Sequence, residues 1–209
     1  MAPARHLAMV PAGTAERITW PVPFAKGLPV LKGLEGRRVV VLASGDPFWF
    51  GAGSVIARHL APSDWHALPG VSCFALAAAH MGWALDKTLC RGLHAAPMTR
   101  LRRDLAQGAQ IIATLRDGAA VAEIAAYLRT QGFGASTLVV LEHLGGPSER
   151  ATRMSADQLT GAFDHPVCVA IAVAGDDDAA ALSVASGQID GTFDHDGQIT
   201  KRPVRAITL

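Results

Sequence analysis

Apolar positions along the chain fall into two kinds of pattern. Residues 37–43, "RRVVVLA", hold five consecutive apolar positions, Val39 to Ala43, and run into Ser44-Gly45-Asp46-Pro47. A short unbroken apolar run bounded by turn formers predicts a strand buried on both faces, as in a parallel sheet. The same signature recurs in "AQIIATL" at 109–115, in "STLVVLE" at 136–142 and in "PVCVAIAVAG" at 166–175. Helical spacing marks 51–60, where Val55, Ile56, Ala57 and Leu60 share a face. "PGVSCFALAAAHMGW" at 69–83 reads as a turn followed by an apolar helix with Ser72 as its N-cap. Residues 119–130 read as an amphipathic helix closed by Gly132.

Fainter signals predict short strands at Arg17–Trp20 and Asp64–Leu68, a connector at Gly92–Pro97 and a short basic helix at Met98–Leu105. The spacing of Ser155 and Gln158 matches a capping box. Residues 1–36 are rich in Pro and Gly and read mainly as loop. Strands alternating with helices predict an α/β architecture with largely parallel sheets. A boundary near Gln107 separates an N-terminal α/β lobe, 1–106, from a C-terminal one, 107–190.

Composition narrows the function classes. A chain of 209 residues, half of them hydrophobic, has material for one large domain or two small ones. A net charge of +1 with 18% charged residues gives no basic stripe for nucleic acid. The one like-charge run, Asp176-Asp177-Asp178, reads as a solvated turn. No apolar run reaches the ~18 residues of a membrane span, and the N-terminal residues lack the apolar stretch of a signal peptide. Three cysteines, Cys73, Cys90 and Cys168, show no C-x-x-C spacing, which predicts reduced, structural thiols in a cytoplasmic protein. "FDH" occurs at 163–165 and again at 193–195, a spacing that fits no metal-ligand pattern, so no metal is expected.

Candidate chemistry lies in the loops after the strands, where open α/β sheets bind ligands. Gly45 allows close backbone approach and positive φ, Asp46 can accept backbone amide hydrogen bonds, Pro47 stiffens the bend, and Gly51 and Gly53 ease entry to the next helix. The loop has neither the Walker A pattern nor the third glycine of the dinucleotide fingerprint. Its carboxylate and aromatic neighbours suit a neutral or cationic ligand, although an ordinary strand-to-helix turn has the same appearance. Pro69–Cys73, Thr114–Gly118 and Glu142–Gly146 are loops of similar build. Four such loops spread over two lobes predict a ligand in the cleft between them.

Three segments in this order, "VVVLASGDPFWFGAG", "LPGVSCFALAAAHMGW" and "LVVLEHLGGPSER", resemble the signature segments of the tetrapyrrole (corrin/porphyrin) methylases. The resemblance covers residues 5–175 and is greatest to the branch acting on precorrin-6Y at carbons 5 and 15 in cobalamin biosynthesis. It implies a two-lobed methyltransferase that binds S-adenosylmethionine and methylates a precorrin macrocycle, most simply at carbon 5, and that commonly forms homodimers. Carried over by position, Gly45, Asp46, Trp49, Ser72, Cys73, Leu115, Leu144 and Ala170 border the cofactor. The resemblance identifies no catalytic base. His94, His143 and Asp117 occupy suitable loops, and Arg91, Arg100, Arg102 and Arg103 could meet precorrin carboxylates or line a solvated helix face. Another corrin ring position, or a non-catalytic binding or assembly module, are the competing readings.

Two departures from the family pattern carry expectations of their own. "ARHLAMVP" resembles the middle of the family's first lobe, which implies either a misplaced start or the loss of that lobe's first strand–helix unit. Residues 191–209, "GTFDHDGQITKRPVRAITL", resemble a linker leading toward a second methyltransferase domain that lies outside the chain.

Overall fold

The structure, a computed structural model, describes residues 1–176, 179, 181–182 and 185–208. Asp177 and Asp178 of the acidic run lie outside the described residues. The chain divides into two compact units, Met1–Ser72 and Cys73–Leu209. The division falls after Ser72, because the helix that follows packs on strands later in the chain.

That helix is α4, Cys73–Met81. The sheet of the second unit has five strands: β1 (Leu89–Gly92), β2 (Gln110–Thr114), β3 (Thr137–Glu142), β4 (Arg150–Ser155) and β5 (Val167–Ala172), in the order β1-β2-β5-β3-β4. Only β1 and β2 pair in parallel; β5 is antiparallel to both β2 and β3, and β4 is antiparallel to β3. The α/β class holds, but the expectation of mostly parallel sheets is corrected. β5 inserts between β2 and β3, which run in one direction, and turns two would-be parallel contacts into antiparallel ones.

The apolar runs are explained by cover on both faces. Side chains alternate along each strand. Ile111 and Ala113, Leu138 and Val140, and Val167, Val169 and Ile171 join one core with helix α5 (Ala119–Thr130). Ile112, Val139, Leu141, Cys168 and Ala170 form the other core with Phe74, Ala77 and Ala78 of α4. α5 has the predicted span and both predicted ends. Asp117 Oδ1 accepts the Ala120 amide at 3.0 Å at its start. At its end Gly132, with φ +79°, donates to Arg129 O at 3.0 Å while Phe133 donates to Leu128 O at 2.8 Å. This is the paired 6→1 and 5→2 closure that a left-handed glycine allows.

Other expectations fail for local reasons. β4, "RATRMS", is a polar edge strand without an apolar run to betray it. The Ser155 hydroxyl does accept the Gln158 amide at 3.2 Å, but a turn follows rather than a helix. The basic segment 98–105 shortens to a 3₁₀ turn at Met98–Leu101.

The first unit contains three short helices, α1 (Ala4–Leu7), α2 (Gly27–Lys32) and α3 (Ala52–Ile56). Residues 37–43 are not the expected buried strand. Met1 bonds to Val40 O at 2.7 Å and accepts from the Leu42 amide at 3.0 Å, and Val40 is 66% exposed. Bonds to one residue are too few to make a ladder. Thr19 forms an isolated bridge with Ala2, and 64–68 forms no strand. Among the described residues of this unit the buried hydrophobics are Met1, Ala2 and Trp20, so its shape depends on turns and local contacts.

Candidate functional site

The turn after residue 43 is built by backbone geometry. Gly45 adopts φ +57°. Asp46 Oδ1 accepts the Phe48 amide at 2.7 Å, an Asx turn, and Asp46 O accepts the Trp49 amide at 3.3 Å. Pro47 O accepts the Gly53 amide at 2.9 Å, folding the start of α3 back over the bend. A Cβ on Gly51 would lie 2.5 Å from Pro47 O, and one on Gly53 would lie 2.8 Å from Pro47 Cβ, so both glycines are required by close approach. A Cβ on Gly70 would lie 3.0 Å from Gly45 O, which brings the Pro69–Gly70 loop against the first turn. Two of the four loops read from the sequence therefore meet within the first unit.

The turn presents three aromatic rings. Phe48, Trp49 and Phe50 are all exposed, and Phe48 stacks on Trp65 with ring centroids 5.4 Å apart. Phe50 has φ +55° and His143 has φ +51°, the two non-glycine residues with positive φ among the described residues. Each sits in one of the four candidate loops. Strain of this kind persists only where the surroundings enforce it, and it concentrates at functional loops.

Ser44 carries contacts that the sequence did not disclose. Its Oγ lies 3.0 Å from Arg5 Nη2 and 3.0 Å from His6 Nε2, both on α1. Burial and the neighbouring Arg5 charge push the His6 imidazole below its ordinary titration range. Ser72, the last residue of the first unit, is buried.

In the second unit, β1, β2 and β3 share a direction, so Leu115 and Leu144 both lie at the carboxyl end of the sheet. Leu115 donates its amide to Val167 O at 3.3 Å and packs into the α5 core. Leu144 and Cys73, the first residue of α4, both pack against the α4 core. Ala170 is fully buried at mid-strand, opposite Ile112 and Val139. The Thr114 hydroxyl, at the carboxyl end of β2, is buried with no hydrogen-bond partner. Burial pushes the thiols of Cys73, Cys90 and Cys168 upward.

The sequence reading placed Glu142 at the start of a candidate loop but missed its burial and its partner. This carboxylate is fully buried at the end of β3 and faces Arg150 across the β3–β4 register. Arg150 donates to it through Nε at 2.7 Å and Nη2 at 2.6 Å, and the Asp164 amide donates at 2.6 Å. Hydrogen bonding from Arg150 is the main reason its carboxyl is held below the usual range. The next loop closes on the same end: Glu149 Oε2 accepts the Gly145 amide at 2.7 Å. Gly145, with φ +77°, lies against Leu76 of α4. Of the earlier candidates, Asp117 caps α5 and Arg91 makes a bidentate pair with Asp104 at 2.6 and 2.7 Å. The proposed linker ends in helix α6 (Arg202–Thr208), whose buried Arg205 pairs with Asp190 and stacks over Phe193.

The family model for tetrapyrrole (corrin/porphyrin) methylases matches residues 30–160. The chain belongs to this family. It is 42% identical over 207 residues to a precorrin-6Y C(5,15)-methyltransferase (decarboxylating) of Sinorhizobium sp, covering 98% of this chain and 50% of that protein. It is 27% identical over 146 residues to a cobalt-precorrin-7 C(5)-methyltransferase of Salmonella typhimurium, covering 70% and 72% of the two chains. The crystal structure of uroporphyrin-III C-methyltransferase from Thermus thermophilus complexed with S-adenosylhomocysteine superposes with a TM-score of 0.60 at 18% identity, covering 80% of each chain. That likeness concerns the fold. The chain spans about half the length of the precorrin-6Y relative. Among the described residues, no helix of this methylase is long and apolar enough to cross a membrane.

Proposed function

We propose that this methylase chain transfers a methyl group from S-adenosylmethionine to carbon 5 of precorrin-6Y in cobalamin biosynthesis. The observation that carries this reading is the pair of sequence relationships above. One relative is named for carbons 5 and 15 and is matched along 98% of this chain; the other is named for carbon 5 alone. Carbon 5 is what they share. Carbon 15 and the decarboxylation are assigned to the part of the longer relative that this chain does not match.

The residues present fit a sulfonium donor. The Gly45–Phe50 turn offers a carboxylate, backbone carbonyls and three aromatic rings, groups that attract a cation rather than a phosphate. In the first unit Gly45, Asp46, Trp49 and Ser72, and in the second Cys73, Leu115, Leu144 and Ala170, are the proposed donor-binding residues. Bound S-adenosylmethionine supplies a methyl group already activated on a positively charged sulfur, so no covalent nucleophile is required of the protein. The chain's task is to hold the acceptor carbon close and collinear, which is worth roughly 7–11 kcal/mol of barrier. Arg100 and Arg103, both exposed, are the proposed partners of precorrin carboxylates, since Arg91 is already paired.

A homodimer in the cytoplasm, lobes at 1–106 and 107–190, and a following methyltransferase/decarboxylase domain reached through 191–209 complete the proposal. Calorimetric titration with S-adenosylhomocysteine tests it, followed by methyl transfer from labelled donor to precorrin-6Y. Micromolar binding and label at carbon 5 are expected. A folded chain that binds no S-adenosylhomocysteine would sink the enzyme reading and leave a non-catalytic module.

A further inference from the structure

We propose that Arg5 and His6 are positioning residues for the Gly45–Asp46 turn: they hold the Ser44 hydroxyl between them, and this hold sets the affinity for the methyl donor. The inference rests on the donor-binding reading of that turn.

A serine hydroxyl has one proton and two lone pairs, and a guanidinium can only donate. Arg5 Nη2, 3.0 Å from Ser44 Oγ, therefore takes a lone pair. His6 Nε2 lies 3.0 Å from the same oxygen; the ring tautomer sets whether it accepts the hydroxyl proton or donates to the second lone pair. The Ser44 oxygen thus links Arg5 and His6, and each bond polarises the other. Two consecutive residues of α1 thus grip a residue 38 and 39 positions later, next to the glycine whose φ of +57° opens the turn. Few side chains are buried in this unit, so a three-centre clasp has more influence on the loop than it would in a packed core.

The clasp is best held with a neutral His6, which carries no charge beside Arg5. Burial and the Arg5 charge both disfavour protonation, so the imidazole is neutral at neutral pH. A protonated ring would donate from both nitrogens. It would then sit beside the like charge of Arg5, which opposes the close approach of the two side chains to Ser44. Arg5 is the charged group acting on the ring from α1; from the 44–47 segment, Asp46 directs its carboxylate to the Phe48 amide instead.

The test is calorimetric titration of the full chain with S-adenosylhomocysteine between pH 5 and 8, for wild type, Ser44→Ala, His6→Ala, their double variant and Ser44→Thr. Each alanine variant is expected to weaken binding about 3- to 10-fold, the worth of one hydrogen bond. The double variant should be no weaker than either single one, and Ser44→Thr should recover most of the loss. Wild-type affinity should fall only on the acid side of the ordinary imidazole range, because the ring is held below it, and Ser44→Ala should lack that fall. Wild-type affinity in both single variants, additive losses, or an unchanged acid limb in Ser44→Ala would overturn the proposal. His6→Asn replaces His6→Ala if the latter does not fold. A wild-type chain that binds nothing overturns the donor reading instead. The clasp is then read by hydrogen exchange at residues 45–49, and equal protection in wild type and Ser44→Ala would refute it.

Discussion

Replacing Gly51 by alanine puts one methyl group where the structure has no room for it. The new Cβ would stand 2.5 Å from Pro47 O, 2.8 Å from Pro47 C and 2.9 Å from Asp46 O. Side-chain carbons essentially never come within 3.0 Å of such atoms, so at least 0.5 Å of movement is required. The obstructing atoms are backbone, one residue of which is a proline, and no rotamer change relieves them. The turn must open, and the Gly53 amide bond to Pro47 O at 2.9 Å is the contact most directly lost. Overpacking strain of ~1–3 kcal/mol and a hydrogen bond worth ~1 kcal/mol together predict a loss of roughly 2–4 kcal/mol. At about 2–4 °C per kcal/mol for a chain of this size, Tm should drop by roughly 4–16 °C. Tryptophan fluorescence is a suitable probe, because Trp20, Trp49 and Trp65 lie in the first unit and only Trp83 in the second. Gly13→Ala is the control: nothing lies within 4 Å of its Cβ position, and its melt should match the wild type or exceed it slightly. A Gly51→Ala melt indistinguishable from wild type, or equal damage from Gly13→Ala, would refute the close-approach argument.

Three other outcomes follow from the second unit. Phe74 is almost fully buried under the sheet, and Phe74→Ala should cost about 3–5 kcal/mol in urea unfolding; a loss below about 1 kcal/mol would mean the α4 core is not closed there. The Glu142 carboxyl is held below its unfolded value, so its contribution is complete above about pH 4.3 and is lost as pH falls through the folded value. Glu142→Gln should therefore lower the urea midpoint at pH 7, with the gap to wild type narrowing in acid, and a gap independent of pH would contradict the pairing with Arg150. Cys168 is buried and its thiol is pushed far up, so a thiol reagent at pH 8 should label it only on unfolding, and prompt labelling of the native chain would be inconsistent with its place under α4.

What was readable in the sequence tracks how local the cause is. α5 was found to the residue because its apolar face and its Gly132 stop are written within one short segment, although the Asp117 contact at its start was not read. β2, β3 and β5 were visible because each is covered on both faces, leaving unbroken apolar runs. Strand direction was not visible, since nothing in "PVCVAIAVAG" states that it will insert between two strands that run the other way. Val39–Ala43 has the same apolar signature as those strands yet forms no ladder, because a strand needs neighbours that a propensity cannot supply. The turn glycines were legible by type. The Arg5–Ser44–His6 clasp and the Glu142–Arg150 pair were not, because the first joins residues far apart in the chain and the second depends on cross-strand register.

The bend at 44–53 owes its form to proline and glycine stereochemistry and to a few amide contacts, while the layer around it contributes little apolar cover. Such a feature resembles a preformed hinge plate more than a packed jigsaw piece. Local opening there breaks few apolar contacts, and the bend closes again through its amide hydrogen bonds rather than through repacking of side chains.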